Sequence, residues 1–214
     1  RLIPPGYEQW HQMGLYQRDL TSFNEEAIID NRQTAFNCMN CHSFRMQSPD
    51  DMLFHMRADF GGTYVWTDGK LEKLDGKVSE SIQSLVYPYW HPSGDYVAFS
   101  TNKTNQMFHM KDKNRIEVFD SASDVLVYDV KNHRVLTDSL LFSKGAFETF
   151  PSFSPDGKTL YFSTSMAQQM PKDYKSVKYS LCSISFDAQQ GRFGNQVDTL
   201  YSAEKTGKTA AFPR

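Results

Sequence analysis

Residues 150–165 read Phe-Pro-Ser-Phe-Ser-Pro-Asp-Gly-Lys-Thr-Leu-Tyr-Phe-Ser-Thr-Ser, and this stretch decides the fold. Ser152-Phe153 ends a strand and leads into a turn. Pro155 fixes φ at the turn start, and Gly157 accepts the tight or left-handed position that follows. Leu160 and Phe162 then alternate with more polar neighbours, the period of a strand with two distinct faces. Moving upstream, residues 87–102 repeat the pattern as Tyr-Pro-Tyr-Trp-His-Pro-Ser-Gly-Asp-Tyr-Val-Ala-Phe-Ser-Thr-Asn. Pro88, Pro92 and Gly94 stand 63 residues before Pro151, Pro155 and Gly157.

Each copy is followed by a second match. Residues 127–135 and 185–193 both read as two strands joined by a polar hairpin. The intervening segments, about 104–122 and 166–178, are rich in Lys, Gln, Asn and Met and read as loops, with a short helix possible in Asn105 to Arg115. An earlier, degraded copy aligns Met52-Leu53-Phe54-His55 with Val97-Ala98-Phe99-Ser100. Thr63 to Trp66 and the turn Thr67-Asp68-Gly69-Lys70 then stand for the later hairpins, and Gly61-Gly62 marks a tight turn or a close backbone approach. Ala211-Phe212-Pro213-Arg214 resembles Thr149-Phe150-Pro151-Ser152, so a further unit is expected to begin at 212. Propellers close with several four-stranded blades around a channel. The reading is therefore an all-β fold: a partial β-propeller of about three blades at 36–86, 87–149 and 150–211. Its remaining blades are expected in a longer polypeptide or a second chain. A three-unit solenoid or a β-sandwich is the alternative.

Ser-Pro-Asp-Gly followed by Leu-Tyr-Phe-Ser resembles the WD40-like repeat of the TolB family. The likeness is strong at 150–163, good at 87–100 and weak at 36–56, and covers roughly 36–214. It implies a propeller in a periplasmic or cell-envelope setting. It implies no chemistry, because propellers carry enzymes, electron carriers and binding modules alike.

Residues 1–35 form an arm outside the repeat. Ser22-Phe23-Asn24-Glu25 fits a capping box, which predicts a short helix at about 23–31. Trp10 and Tyr16 are candidate anchors for the arm on the blades. Across 214 residues, 23 Lys and Arg face 25 Asp and Glu, without the basic footprint of a nucleic-acid binder. No apolar run approaches the roughly 18 residues of a transmembrane segment.

The sharp chemical content lies in Cys38-Met39-Asn40-Cys41-His42. C-x-x-C-H is the attachment pattern of c-type haem. Two thiols add to two vinyl groups, and the adjacent His lies under the iron as proximal ligand, with a Met or a second His completing the pair. The expected cofactor is covalent haem c on Cys38, Cys41 and His42. Met46, Met52 and Met56 are the favoured distal candidates. His55 is close in sequence, and His11, Met13, His109 and Met110 could arrive from the arm or the long segment. The rival readings are a structural or redox disulfide, inert thiols, or part of a metal site. A zinc site needs four ligands, and no second close pair of Cys or His follows.

Cys182, in a strand-like run, reads as a small buried hydrophobe. His91 reads as a turn residue, His133 as an exposed hairpin residue, and Asp129 and Asp156 as turn acceptors.

Two functions compete. The first is an exported haem-bearing propeller that transfers electrons or senses redox state with a protein partner. The second is an envelope interaction or scaffold module in which the Cys pair is structural. A hydrolase completed by other blades is a weaker third, since no G-x-S-x-G motif is present. The sequence makes no firm enzymatic assignment.

Overall fold

The computed structural model describes residues 13–48, 50–74, 84–111 and 116–213. Trp10, His11 and the Pro4-Pro5-Gly6 lead fall outside these residues. Period-two runs become strands throughout. Three four-stranded antiparallel meanders follow one another along the chain. The first comprises β3 (Met39–Phe44), β4 (Met52–Met56), β5 (Gly62–Thr67) and β6 (Lys70–Lys73). The second comprises β7 (Val86–Trp90), β8 (Tyr96–Phe108), β9 (Ile116–Asp129) and β10 (Arg134–Leu136). The third comprises β11 (Ala146–Phe153), β12 (Thr159–Met166), β13 (Ser180–Asp187) and β14 (Arg192–Tyr201). The first strands of the sheets lie side by side, β3 against β7 and β7 against β11, so they are the inner strands of three blades.

The core sits between the sheets. Trp90, Phe99, Leu126 and Tyr128 pack with Leu53 and Val65 at the first seam. Tyr96, Ala98, Val125 and Val127 pack with Phe153, Leu160, Phe162 and Phe186 at the second. Cys182 joins that second cluster at 2% exposure, as a small apolar side chain should. The alignment of the degraded copy holds: Ser43 pairs with Leu53 as Tyr89 pairs with Ala98. The turn acceptors also hold. Asp129 accepts from the backbone N–H of Asn132, and Asp156 from that of Lys158 and from the Ser154 hydroxyl.

Two expectations are corrected. The arm contains no helix at 23–31. Instead β1 (Gly14–Gln17) pairs with β2 (Glu26–Asp30) in a two-stranded sheet. The capping cue is overridden because Leu15, Ile28 and Ile29 cover the first blade's outer cluster of Met39, Met52, Phe54 and Met56. Ser22 accepts instead from the Asn24 backbone N–H in a local turn. A capping box does form, but at Asp30 and Gln33 around the 3-10 turn Asn31–Thr34. Tyr16 is 46% exposed and does not serve as an anchor. The second correction is the segment 104–122, whose described residues extend β8 and β9 as one long antiparallel pair in place of a loop or helix; residues 112–115 of the helix expected at 105–115 lie outside the described residues. Its cross-strand pairing continues to Phe108 opposite Ile116. Cross-strand pairing outweighs the polar composition that read as a loop.

Candidate functional site

The C-x-x-C-H motif begins at Cys38, directly before β3, and runs along β3, the inner strand of the first blade. Its place in the repeat is set by a bulge. Between Asn40 and Ser43 the ladder to β4 skips Cys41 and His42. The same skip removes Tyr87 and Pro88 from the β7–β8 ladder, and Phe150 and Pro151 from the β11–β12 ladder. Bulges leave residues unpaired and re-aim their side chains. The first residue of each pair has a left-handed backbone, with φ of 53° at Cys41, 50° at Tyr87 and 53° at Phe150. Phe212 repeats it at 54° before Pro213. Cys41-His42 therefore occupies the structural position of Tyr87-Pro88, Phe150-Pro151 and Phe212-Pro213. Bulky residues rarely adopt positive φ, so four in register mark a built feature.

The aromatic members converge. Ring centroids are 4.8 Å apart for Tyr87 and Phe150, and 3.9 Å for Phe150 and Phe212. Tyr179 lies 6.0 Å from Phe150. Burial pushes the Tyr179 phenol up to about 12, with Asp120 and Tyr87 adding to it. Burial also raises Tyr87, with the Asp120 and Cys41 charges adding to the rise. The Cys41 thiol thus shares an electrostatic neighbourhood with the aromatic cluster. Cys38 and Cys41 are both half-buried and free, so no disulfide joins them.

His42 is exposed and faces another space. A cavity of about 490 Å³ is lined by His42, Phe44 and Met46 from the first blade, Tyr89, Trp90 and His91 from the second, and Phe153 from the third. The His42 ring meets Phe44 edge-on at 5.8 Å. Met46, 66% exposed, shares this cavity with His42. The structure does not bring the other methionines there. Met52 and Met56 are 2% and 3% exposed and lie in the cluster beneath the arm. They pack with Phe54, Tyr64 and Trp66, and neither lines the His42 cavity, while Met56 lines the cavity described below. His109 and Met110 follow β8 at the far end of its pairing with β9, and Met13 directly precedes β1. His55 lines a different cavity, described below.

The donors suit haem in chemistry: two free thiols, an exposed imidazole and a thioether that lines the same cavity as the imidazole. Neither thiol lines that cavity. Among the described residues, no cluster of three or more His, Cys, Asp or Glu side chains is placed to hold a metal ion.

His91 carries a role that sequence reading missed. It is 4% exposed, its Nδ1 is 2.8 Å from the Ser93 hydroxyl, and its Nε2 is 3.0 Å from the Gly157 carbonyl of the next blade. The Gly157 oxygen accepts, so Nε2 carries the proton. Burial lowers the His91 pKa and keeps the ring neutral. The signal was available: Gly157 allows the contact, since a Cβ there would stand 2.1 Å from His91 Nε2. His133 is half-exposed, as expected, and lies 3.4 Å from Glu72.

No family model and no curated protein sequence matches this chain. Solved structures resemble it at low identity. A prolyl endopeptidase, from a study of inter-domain dynamics in catalysis and specificity, is 12% identical with a TM-score of 0.47, over 84% of this chain and 23% of that one. TolB from Acinetobacter baumannii is 12% identical with a TM-score of 0.32, over 87% of this chain and 48% of that one. A putative dipeptidyl aminopeptidase IV from Bacteroides ovatus is 11% identical with a TM-score of 0.33, over 85% of this chain and 34% of that one. This chain spans less than half the length of each. Three four-stranded meanders, set side by side on their inner strands, give it the all-β architecture of β-propeller blades.

Proposed function

We propose that this chain is the haem-bearing part of a cell-envelope propeller that passes electrons to, or senses redox state with, a protein partner. One observation carries the reading: the C-x-x-C-H motif offers two free thiols and an exposed His42, and Met46 lines the same cavity as His42. Cys38 and Cys41 would hold the group through two thioethers, His42 would be the proximal ligand and Met46 the distal one. Bound there, haem supplies one-electron chemistry. The aromatic walls of Phe44, Trp90 and Phe153 would shed water from the macrocycle and raise its potential. The envelope setting is part of the proposal; it draws on the TolB-like repeat and on the oxidising, exported context that haem attachment requires. No helix among the described residues is long and apolar enough to cross a membrane.

Production with and without haem-attachment machinery in an exporting host tests this. The expected result is an acid-stable mass increase of one haem and a reduced-state c-type spectrum, both lost when Cys38→Ala and Cys41→Ala are combined. A bare polypeptide mass in the presence of the machinery overturns it.

A second reading, an interaction or scaffold module, is favoured by the long β8–β9 extension. Phe108, Ile116 and Val118 line one of its faces at 71%, 53% and 61% exposure. Exposed apolar side chains in one row mark a contact surface more often than chance placement does. In that reading the unchanged mass is the expected outcome, and removal of the extension abolishes partner capture.

A further inference from the structure

The first and second blades enclose a larger cavity, of about 790 Å³, on the His55 side of their seam. Among the described lining residues its walls carry three cations, Arg57, Lys73 and Lys103, and no carboxylate. None of the three is in an ion pair among the described residues, whereas Arg32, Arg45 and Arg134 each have an acidic partner. Asp120 is close by, but its two oxygens accept from Asn102 Nδ2 and Thr104 Oγ1, both at 2.7 Å. Three cations against this one nearby carboxylate leave the described walls net positive, which raises the local potential and draws anions into the cleft.

The backbone makes room for this. Gly62 has φ of +147°, and a Cβ there would stand 2.4 Å from Lys73 Cε. The lysine stem lies where any other residue would place its side chain. Lys73 Nζ is 5.7 Å from the centre of the Tyr64 ring.

His55 supplies a polar group of opposite character. The Thr63 hydroxyl donates its one proton to the Leu85 carbonyl at 2.9 Å. It must therefore accept from His55, whose Nδ1 is 3.0 Å away, so Nδ1 carries the proton. Nε2 is left with its lone pair. Burial, reinforced by Arg57 and Lys73, pushes the His55 pKa down to about 4 and keeps the ring neutral. Nε2 is thus an acceptor set beside cations, and it suits a ligand that brings its own N–H or O–H.

We infer that this cavity binds a small hydroxylated anion, its carboxylate or phosphate held by Arg57, Lys73 and Lys103 and a neighbouring hydroxyl donating to His55 Nε2. The site is independent of haem: it lies on a different wall of the first blade from His42 and Met46. Sugar acids and sugar phosphates both carry this chemistry, and the two are told apart by titration.

The test is calorimetric titration of the full chain with glucuronate, glucose 6-phosphate, inorganic phosphate and uncharged glucose at constant ionic strength. Saturable binding of one hydroxylated anion at least tenfold tighter than inorganic phosphate is expected, with glucose silent. Arg57→Gln with Lys73→Gln should weaken it more than tenfold. Lys103→Gln, at an exposed position that folding tolerates, should weaken it severalfold. His55→Phe should erase the preference over inorganic phosphate while leaving phosphate binding. Tighter binding of glucuronate assigns a carboxylate ligand, and tighter binding of glucose 6-phosphate a phosphate one. Absence of binding by every anion, or affinities unchanged in both lysine variants, overturns the site.

Discussion

The two seams between blades use one device with two different residues. At the second seam, His91 of one blade lies over Gly157 of the next and bonds to its carbonyl. At the first, Arg45 occupies the position of His91 and lies over Gly94, where a Cβ would stand 2.4 Å from its Nε. The resemblance ends at the chemistry. His91 is wedged among Phe153, Tyr96 and Phe186, with ring centroids 4.8 to 5.8 Å away. Arg45 has a buried Nε with no hydrogen-bond partner, and its nearest carboxylate oxygen, on Asp51, is 3.8 Å away. The second seam is aromatic, closed and directional. The first is looser, and its other end opens into the cationic cavity. A conserved shape does not need a conserved side chain, but the side chain decides how rigid the joint is.

Three substitutions sharpen or break this contrast. Gly157→Ala has the largest expected effect. It forces alanine to φ +72° and drives a methyl group into His91 Nε2. Left-handed strain of about 1–2 kcal/mol and overpacking of about 1–3 kcal/mol together suggest a loss of about 3 kcal/mol. Thermal unfolding should fall by roughly 6–12 °C.

Gly94→Ala has the same strain, at φ +74°, but meets only the end of a flexible arginine. About 1.5 kcal/mol is expected, measured in the same melt. Equal losses at the two glycines would show the seams to be alike and end the comparison.

The smallest effect concerns Glu148 beside the second seam. Its Oε1 accepts from the Ser143 hydroxyl at 3.1 Å, while Oε2 is buried without a partner. Burial pushes its pKa up to about 7, with Asp124 adding to the rise. The folded state then binds the proton more tightly than the unfolded one. Stability from this group is present below its unfolded pKa of about 4.5 and declines as pH rises to about 7. Glu148→Gln should therefore stabilise by on the order of 1 kcal/mol at pH 8, with the gain shrinking toward zero at pH 5. Chemical denaturation at the two pH values measures it. A gain that does not depend on pH would remove Glu148 from the account of that seam.

What could be read in advance was whatever is local. The Pro-x-Gly turns and the period-two runs name the strands of the second and third blades because those cues act within a few residues. The weak first blade was found by its Met52–His55 strand. Its bulge was not, because His42 stands where the later copies have proline, and the shared feature is a backbone angle. The arm misled for the opposite reason. A valid helix-start pattern at Ser22 lost to long-range pairing of β1 with β2 and to burial of Leu15, Ile28 and Ile29. The candidate site was half legible. Cys38, Cys41 and His42 announce themselves by spacing, but which methionine shares the cavity with His42 depends on strand parity and on the arm's coverage. Arg57, Lys73 and Lys103 come from three separate segments, so no spacing could have grouped them.

The left-handed bulge has one more consequence, for how the blades are joined. Cys41, Tyr87 and Phe150 hold their unusual φ inside paired strands, but Phe212 holds the same φ in a segment with no sheet partner. What it does have is the face of Phe150 at 3.9 Å. The segment before it is tied to the third blade by the Ala210 N–H, which donates to the Tyr179 carbonyl at 2.8 Å, and by the Thr209 hydroxyl, which accepts from the Tyr179 N–H at 2.9 Å. The aromatic-proline pair thus acts as a clasp between neighbouring inner strands, joining Tyr87, Phe150 and Phe212 ring to ring where the ladder gives no hydrogen bond.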